Sequence, residues 1–386
     1  MTVLLVRVRR GALLLLITAL ACTEEPPPEA AAPALQARPV DQPLLARSTI
    51  RVTERFRLSG AAREQARLEQ PRDLDLDDEG KLYVLDIGDP IQLLKFGVDG
   101  RFELRFDEGE ESGSSIASAL EIDVTPWRTI LLVDRGRNAL STYLTLGFHA
   151  TTVELQGTGI DALALPGFNE YYLHKWVPER RRVQIVHMRA PLDSLHATYT
   201  VFIPPDRSVR QEARDVFLRA AVDGAGQLYV AFHDGYPVRV LTSEGETVRL
   251  IDLDRAPIRK SVAAIAEERE RNLARLRAGA PDVADSLLRQ AAEPDTVAPM
   301  IEELSVDPRG RLWVRTNRPD SNGATSYDVF NERGEYLARV DIPGNVRHSA
   351  FGPDGWIYVI DATSETSPTI VGYEVSFEGG PTATGG

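Results

Sequence analysis

The sequence predicts an all-β fold, a six-bladed β-propeller of four-stranded antiparallel blades with one helical-hairpin insertion. Three observations predict it. A turn-and-strand unit recurs along the chain, its period is that of a propeller blade, and the two ends of the repeating region complement each other as parts of one sheet.

The repeating unit is a polar turn followed by an apolar-aromatic-Val strand: Asp77-Asp78-Glu79-Gly80-Lys81-Leu82-Tyr83-Val84. It returns as Asp223-Gly224-Ala225-Gly226-Gln227-Leu228-Tyr229-Val230, as Asp307-Pro308-Arg309-Gly310-Arg311-Leu312-Trp313-Val314, and as Gly352-Pro353-Asp354-Gly355-Trp356-Ile357-Tyr358-Val359. Weaker copies over residues 125–132 and 166–173 bring the number to six. With Gly80, Arg128, Asn169, Gly226, Gly310 and Gly355 taken as equivalent, the spacings are 48, 41, 57, 84 and 45 residues. The longest contains an insertion of roughly forty residues, and without it the period is about 40 to 50, that of a blade.

The flanks of each unit read as strands. Before Gly80, Leu74 and Leu76 alternate with Asp73, Asp75 and Asp77, which places apolar groups on one face and carboxylates on the other. After it, residues 92–97 and 101–106 join through Asp99-Gly100, a hairpin signal because glycine accepts positive φ without strain. Gly147, Gly245 and Gly334 mark equivalent hairpins. The last repeat has three strands, over 348–351, 356–361 and 369–377, and then runs into a Gly-rich end. Residues 49–58, with Ile50, Val52, Phe56 and Leu58 mostly alternating, have no partner of their own. They are expected to form the missing outer strand of the last blade and to close the ring.

Residues 258–298 interrupt the strand pattern. Ser261 is placed to cap a helix through Ala278 with Val262, Ile265, Leu273 and Leu276 as its stripe, and Gly279 and Pro281 end it. Val283, Leu287 and Leu288 mark a shorter second helix that stops before Pro294. This hairpin has to pack its apolar stripe on something: it caps the central channel, docks a partner, or is an insertion that covers part of one blade without a role of its own.

The N-terminus carries an export signal, with Arg7, Arg9 and Arg10 ahead of an apolar run over residues 12–21 that is too short to span a bilayer comfortably. It ends in Leu20-Ala21-Cys22. Cys22 is the only cysteine, so the chain makes no intrachain disulfide. The arrangement resembles the lipobox of bacterial lipoproteins, although the position three before the cysteine, commonly Leu, holds Ala19. The resemblance implies lipid attachment at Cys22, and two or more acyl chains make a stable anchor. Residues 23–48, with Pro26, Pro27, Pro28, Pro33, Pro39 and Pro43 among alanines, read as a disordered tether. The chain thus divides into a signal peptide and lipobox (1–22), a tether (23–48), a propeller (49–377) and a disordered tail (378–386).

Gly-x-Leu-Tyr-Val-x-Asp blades, the closing strand and the leader together resemble bacterial six-bladed β-propeller lipoproteins related to NHL-repeat proteins, over residues 49–377. Asp86, Asp134 and Asp361 match the Asp that follows the second strand of an NHL repeat, whereas Lys175, Phe232 and Thr316 stand there in the other blades. The resemblance implies architecture and leaves activity open, because this fold hosts enzymes, receptors and scaffolds.

The formal net charge of −13 becomes −16 when residues 1–21, with three arginines and no acid, are removed. Phosphate backbones repel such a chain, which argues against nucleic-acid partners. No nucleophile elbow, zinc-protease motif or Walker loop is present, and the histidines at 149, 174, 187, 196, 233 and 348 are dispersed. Asp73 to Asp77 departs from a calcium loop at the sixth position, Asp78, and the twelfth, Val84, and fits a strand better. The recurring Asp86, Asp134 and Asp361 read as turn caps.

Unrepeated residues after the second strands of successive blades are the candidates for a ligand: Arg135 and Arg137, Lys175 and Trp176, His233 and Asp234, Asn317 and Arg318. The expectation is a binding or scaffold propeller, without cofactor or metal, facing a protein, peptide or glycan of the cell envelope. Its expected location is the outer membrane on the periplasmic side, because Thr23 follows the cysteine where an Asp would favour inner-membrane retention in some bacteria. The alternative is a metal-dependent hydrolase or lyase in the central channel, drawing on unrepeated residues such as His174, His233 and Asp234.

Overall fold

The computed structural model describes residues 43–45 and 49–377 apart from 107–115, 117–118, 135, 156–157, 168–169, 178–181, 190–193, 203–217, 233–234, 243–244, 280–282, 295, 318–322 and 365–367. Six four-stranded antiparallel sheets follow one another along the chain, as the spacing predicts. After β1 (Ile50–Arg57), blade 1 is β2 to β5 (Pro71–Leu76, Leu82–Asp86, Gln92–Phe96, Phe102–Arg105) and blade 2 is β6 to β9 (Ala119–Val124, Thr129–Asp134, Ala139–Leu144, His149–Glu154). Blade 3 is β10 to β13 (Thr158–Ala164, Glu170–Val177, Arg182–Arg189, Ser194–Phe202), and blade 4 is β14 to β17 (Leu218–Val222, Leu228–Phe232, Val238–Leu241, Thr247–Ile251). Blade 5 is β18 to β21 (Ile301–Val306, Leu312–Thr316, Thr325–Phe330, Tyr336–Ile342), and β22 to β24 (Val346–Phe351, Ile357–Asp361, Thr369–Phe377) begin blade 6.

Strand β1 completes blade 6 from the other end of the chain. It runs antiparallel to β24, from Ile50 opposite Phe377 to Arg57 opposite Val371, and its Phe56 ring lies 5.5 Å from that of Tyr358. Closure covers the β24 edge, which otherwise presents unpaired backbone groups to other chains.

The repeated turn has a physical cause. The Asp77 carboxylate accepts from the backbone N–H groups of Glu79 (3.0 Å) and Lys81 (2.9 Å), and its other oxygen accepts from the Tyr83 hydroxyl (2.9 Å). One side chain therefore shapes the turn and grips the aromatic ring of the next strand. Asp223 does the same with Tyr229, and Asp307 with the indole N–H of Trp313. Gly80 sits at φ 78°, and Arg128 of the weaker second copy at φ 64°, so the left-handed turn is kept where glycine is lost. Asp86, Asp134 and Asp361 accept from backbone N–H groups at Gln70, Arg137 and Asn345 and act as turn caps.

The core lies between blades. In β3, Leu82 and Val84 pack against Tyr358 and Ile360 of blade 6, and Tyr83 and Leu85 pack against Ile122 and Ile130 of blade 2. A strand covered on both faces has no solvent side, which is why the second strands read as continuous apolar runs. Burying each such side chain contributes about 1.5–3 kcal/mol.

Three features differ from the expectations. A helix, α1 (Gly60–Ala66), links β1 to blade 1, with Ser59 Oγ accepting from Ala62 N at 3.1 Å. Seven residues are too few to show a helical period in sequence. Within the stretch read as tether, Leu44 and Leu45 donate to the carbonyls of Tyr336 and Leu337 on the outer strand of blade 5, and Leu45 is buried. The insertion forms α2 (Val262–Gly279) and α3 (Asp285–Ala291), and a bridge between Arg259 and Val297 closes its base. Its helices pack on each other through Leu273, Leu288 and Ala292, while Val262 stays 85% exposed and Leu287 57%. No described residue of the insertion is among those lining the channel. No helix among the described residues is long and apolar enough to cross a membrane.

Candidate functional site

The inner strands β2, β6, β10, β14, β18 and β22 surround a central cavity of about 660 Å³. Four residues before the start of each turn stand Asp73, Glu121, Asp161, Arg219, Glu303 and His348, one per blade, and all line the cavity. In five blades the register shifts at the same place, between Pro71 and Asp73, Ala119 and Glu121, Gly159 and Asp161, Ile301 and Glu303, and Val346 and His348. In a regular strand neighbouring side chains point to opposite faces. A β-bulge re-aims one of them. Arg72 with Asp73, Glu302 with Glu303, and Arg347 with His348 accordingly all line the cavity.

His348 is the focus of this ring. Its Nε2 lies 2.6 Å from Asp73 Oδ1, and its Nδ1 lies 3.0 Å from Glu303 Oε1. Glu303 is held in turn by Ser349 N (3.1 Å), Ser349 Oγ (2.8 Å) and the Arg315 Nε (3.2 Å). Burial alone pushes Glu303 up, but the charges of Arg315 and His348 outweigh it and hold the carboxyl at about 2. Burial alone pushes His348 down, but Asp73 and Glu303 outweigh it and hold the imidazole well above its ordinary value.

Blades 1 to 3 have the opposite balance. Burial, and then the Asp73 charge, raise Asp161 to about 6. Burial opposed by backbone hydrogen bonds leaves Asp75 at about 7, and burial with neighbouring carboxylates pushes Glu121 and Asp123 well up. Asp73, Asp75 and Asp123 also clasp adjacent blades, accepting from the backbone N–H groups of Ile122 (2.6 Å), Val124 (2.6 Å) and Ala164 (2.8 Å). Glu121 makes no hydrogen bond or ion pair with a described residue, although it lies deep in the ring.

Asp73, Glu121 and His348 offer ligand atoms that all lie within 4.8 Å of one another. Two carboxylates and an imidazole suit a divalent cation such as zinc or manganese. The Nδ1–Glu303 contact is the outer-shell partner that orients a ligating histidine and sets its tautomer. Three protein ligands leave coordination positions open toward the cavity.

The loops that follow the second strands lie at the end of the channel where the first strands begin, since Ile87 N donates to Gln70 O and Ala362 N to Asn345 O; no described residue of these loops lines the cavity. The candidates read from sequence fall around this mouth or beyond the description. Arg137 lies in the turn after β7, its N–H donating to Asp134, and Asn317 is exposed after β19; neither lines the channel. Lys175 and Trp176 are corrected: they are strand residues inside β11, paired with Gly159 and Thr158, because that strand continues to Val177. Arg135, His233, Asp234, Arg318 and Cys22 lie outside the described residues. Among the histidines, His348 enters the ring, and the sequence reading passed over it as the start of a strand. Comparison of the first strands at one register would have exposed it, since Asp73, Glu121, Asp161, Arg219, Glu303 and His348 share one repeat position, four residues before each turn, and all six are polar or charged.

Comparison with protein families finds no match, and comparison with curated proteins finds no relative. Among solved structures, the chain is similar to a DUF4221-family member from Bacteroides vulgatus at TM-score 0.53 and 11% identity, over 85% of this chain and 99% of that one. It is also similar to a streptogramin B lyase (TM-score 0.46, 10% identity, 85% and 98% of the two chains). A gluconolactonase from Xanthomonas campestris matches at TM-score 0.46 and 11% identity, over 80% and 87%. At 11% identity the likeness to the DUF4221-family member is one of fold alone, the β-propeller.

Proposed function

We propose that the protein is a ligand-binding propeller whose ligand is taken up in the central channel on a divalent cation held by Asp73, Glu121 and His348. The observation that carries this reading is His348, anchored at Nδ1 by Glu303 and directed at Asp73 through Nε2, with a Glu121 carboxylate oxygen within 4.8 Å of the ligand atoms of both. The cation takes the place of the Nε2 proton and offsets the ring's carboxylates. This moves the expected site from the loop rim into the channel. A second reading, hydrolase or lyase chemistry, is favoured by the open coordination positions, because a cation so held polarises a bound oxygen.

Metal analysis of the tag-free protein, with thermal melts in the presence and absence of chelator, tests the site. About one divalent cation per chain is expected, its removal lowering the melting temperature by mass action. His348→Gln and Glu121→Gln are expected to lose it while keeping a native circular dichroism spectrum. A protein that takes up no stoichiometric cation from zinc, manganese, calcium or magnesium sinks the proposal. Release of the channel ligand unchanged or cleaved separates the two readings.

The same proposal places the chain in the cell envelope, tethered through an acylated Cys22 and related to NHL-repeat lipoproteins. Support comes from the leader sequence and the blade motif. An acylated N-terminus in mass spectra of membrane-extracted protein, and release by Cys22→Ala, are the expected results; an unmodified thiol in the soluble fraction refutes it.

A further inference from the structure

Arg72 and Arg347 occupy the bulge positions of β2 and β22, one residue ahead of the proposed cation ligands Asp73 and His348. Both line the cavity. Elsewhere around the ring cationic groups are engaged: Arg315 pairs with Glu303 and donates to the Val346 carbonyl, and Arg219 donates to the Glu302 carbonyl at 2.6 Å. Arg72 and Arg347 make no hydrogen bond or ion pair with a described residue, even though Arg72 is close enough to Glu121 to act on its charge. Two guanidiniums beside a ring rich in carboxylates, and paired to none of them, are left to meet something that enters the channel.

We infer that the channel ligand is a small oxyanion, a carboxylate or a phosphate group, with one oxygen on the cation and its others on Arg72 and Arg347. The inference rests on the cation site proposed above. A guanidinium presents paired N–H donors that match the oxygens of a carboxylate or phosphate. The cation supplies the charge that lets an anion approach the ring, so binding of the anion depends on it. An anionic ligand gains more from the two arginines than a neutral one, because hydrogen bonds between ionised partners are the stronger ones. The cavity volume of about 660 Å³ fits a small molecule.

The test is calorimetric titration of inorganic phosphate, and separately of acetate, into the full chain. Three samples are compared: the Mn²⁺-loaded protein, the cation-free protein, and the Mn²⁺-loaded double variant Arg72→Gln/Arg347→Gln. Mn²⁺ content, read by electron paramagnetic resonance, serves as the control for the site itself. One anion per chain is expected in the loaded protein, with none bound without the cation and roughly tenfold or greater weakening in the double variant at unchanged Mn²⁺ content. Stronger phosphate binding points to a phosphorylated ligand, and stronger acetate binding to a carboxylic acid. The variant Arg72→Lys/Arg347→Lys, which keeps the charge and loses the paired donors, is expected to fall between the two. Mn²⁺ bound in full with anion affinity unaffected by the Gln substitutions overturns this inference alone. Failure to bind Mn²⁺ or another divalent cation overturns it together with the reading beneath it.

Discussion

Replacing Asp161 with Asn is expected to stabilise the cation-free protein at neutral and alkaline pH, although it removes a charged group from the centre of the fold. The carboxyl titrates at 3.8 in the unfolded reference and at about 6 in the ring, chiefly through burial and then through the Asp73 charge. Below pH 3.8 both states hold the proton and the group has no effect on stability. Between 3.8 and 6 the unfolded chain releases its proton first, so stability falls as pH rises, and above 6 the loss is complete. Two units correspond to about 3 kcal/mol as a ceiling, and channel water reduces this to an expected gain of roughly 1–2 kcal/mol for the Asn variant. The Asn oxygen still accepts from Ala162 N, a contact of 2.7 Å in the native side chain. Urea unfolding of both proteins in chelator, from pH 4 to pH 8, reads the effect. Equal stabilities at pH 8, or a gain of the same size at pH 4, would refute the reasoning.

Glu303→Gln removes the carboxylate that Arg315 and His348 share, leaving His348 its Asp73 contact, and breaking a buried pair of this kind destabilises by about 3 kcal/mol, measurable in the same unfolding assay. The same variant is expected to lower cation affinity about 10- to 100-fold in chelator competition, since it removes the group that orients His348; unchanged affinity would show that Glu303 is only structural. Deleting residues 1–57 removes β1 and bares the β24 edge, so the product is expected to aggregate or dimerise by light scattering, whereas deletion of 1–42 spares Leu44, Leu45 and β1 and is expected to elute as the full propeller does. A monodisperse monomer after the longer deletion would show that β1 is dispensable for closure.

The blades were legible because each is specified by local chemistry. An Asp that shapes a turn and grips an aromatic ring four to six residues on leaves the same signature wherever it recurs, and Asp77, Asp223, Asp307 and Asp354 all do so. Ring closure was legible for a topological reason, since an unpaired strand at one end and a three-stranded blade at the other have one economical solution. The helical insertion announced its span through Ser261 and Gly279, but the partner of its apolar stripe was not visible. Leu273 and Leu288 satisfy each other instead of covering a blade.

From the sequence alone follow the fold class, the six repeats, the N-terminal closing strand and the acidic balance of the chain, because turn chemistry, strand alternation and charge are properties of neighbours along the chain. Only the tertiary structure decided where the chemistry gathers. Asp73, Glu121 and His348 are separated by up to 275 positions in sequence and meet because the inner strands of blades 1, 2 and 6 converge on one axis. A bulge that turns Arg72 and Arg347 inward is set by the pairing register between strands, which the alternation of a single strand does not encode. Protonation was decided at the same level: Glu303 and Asp161 are ordinary carboxylates as residues, and the Arg315 and His348 charges hold one down while burial beside Asp73 holds the other up.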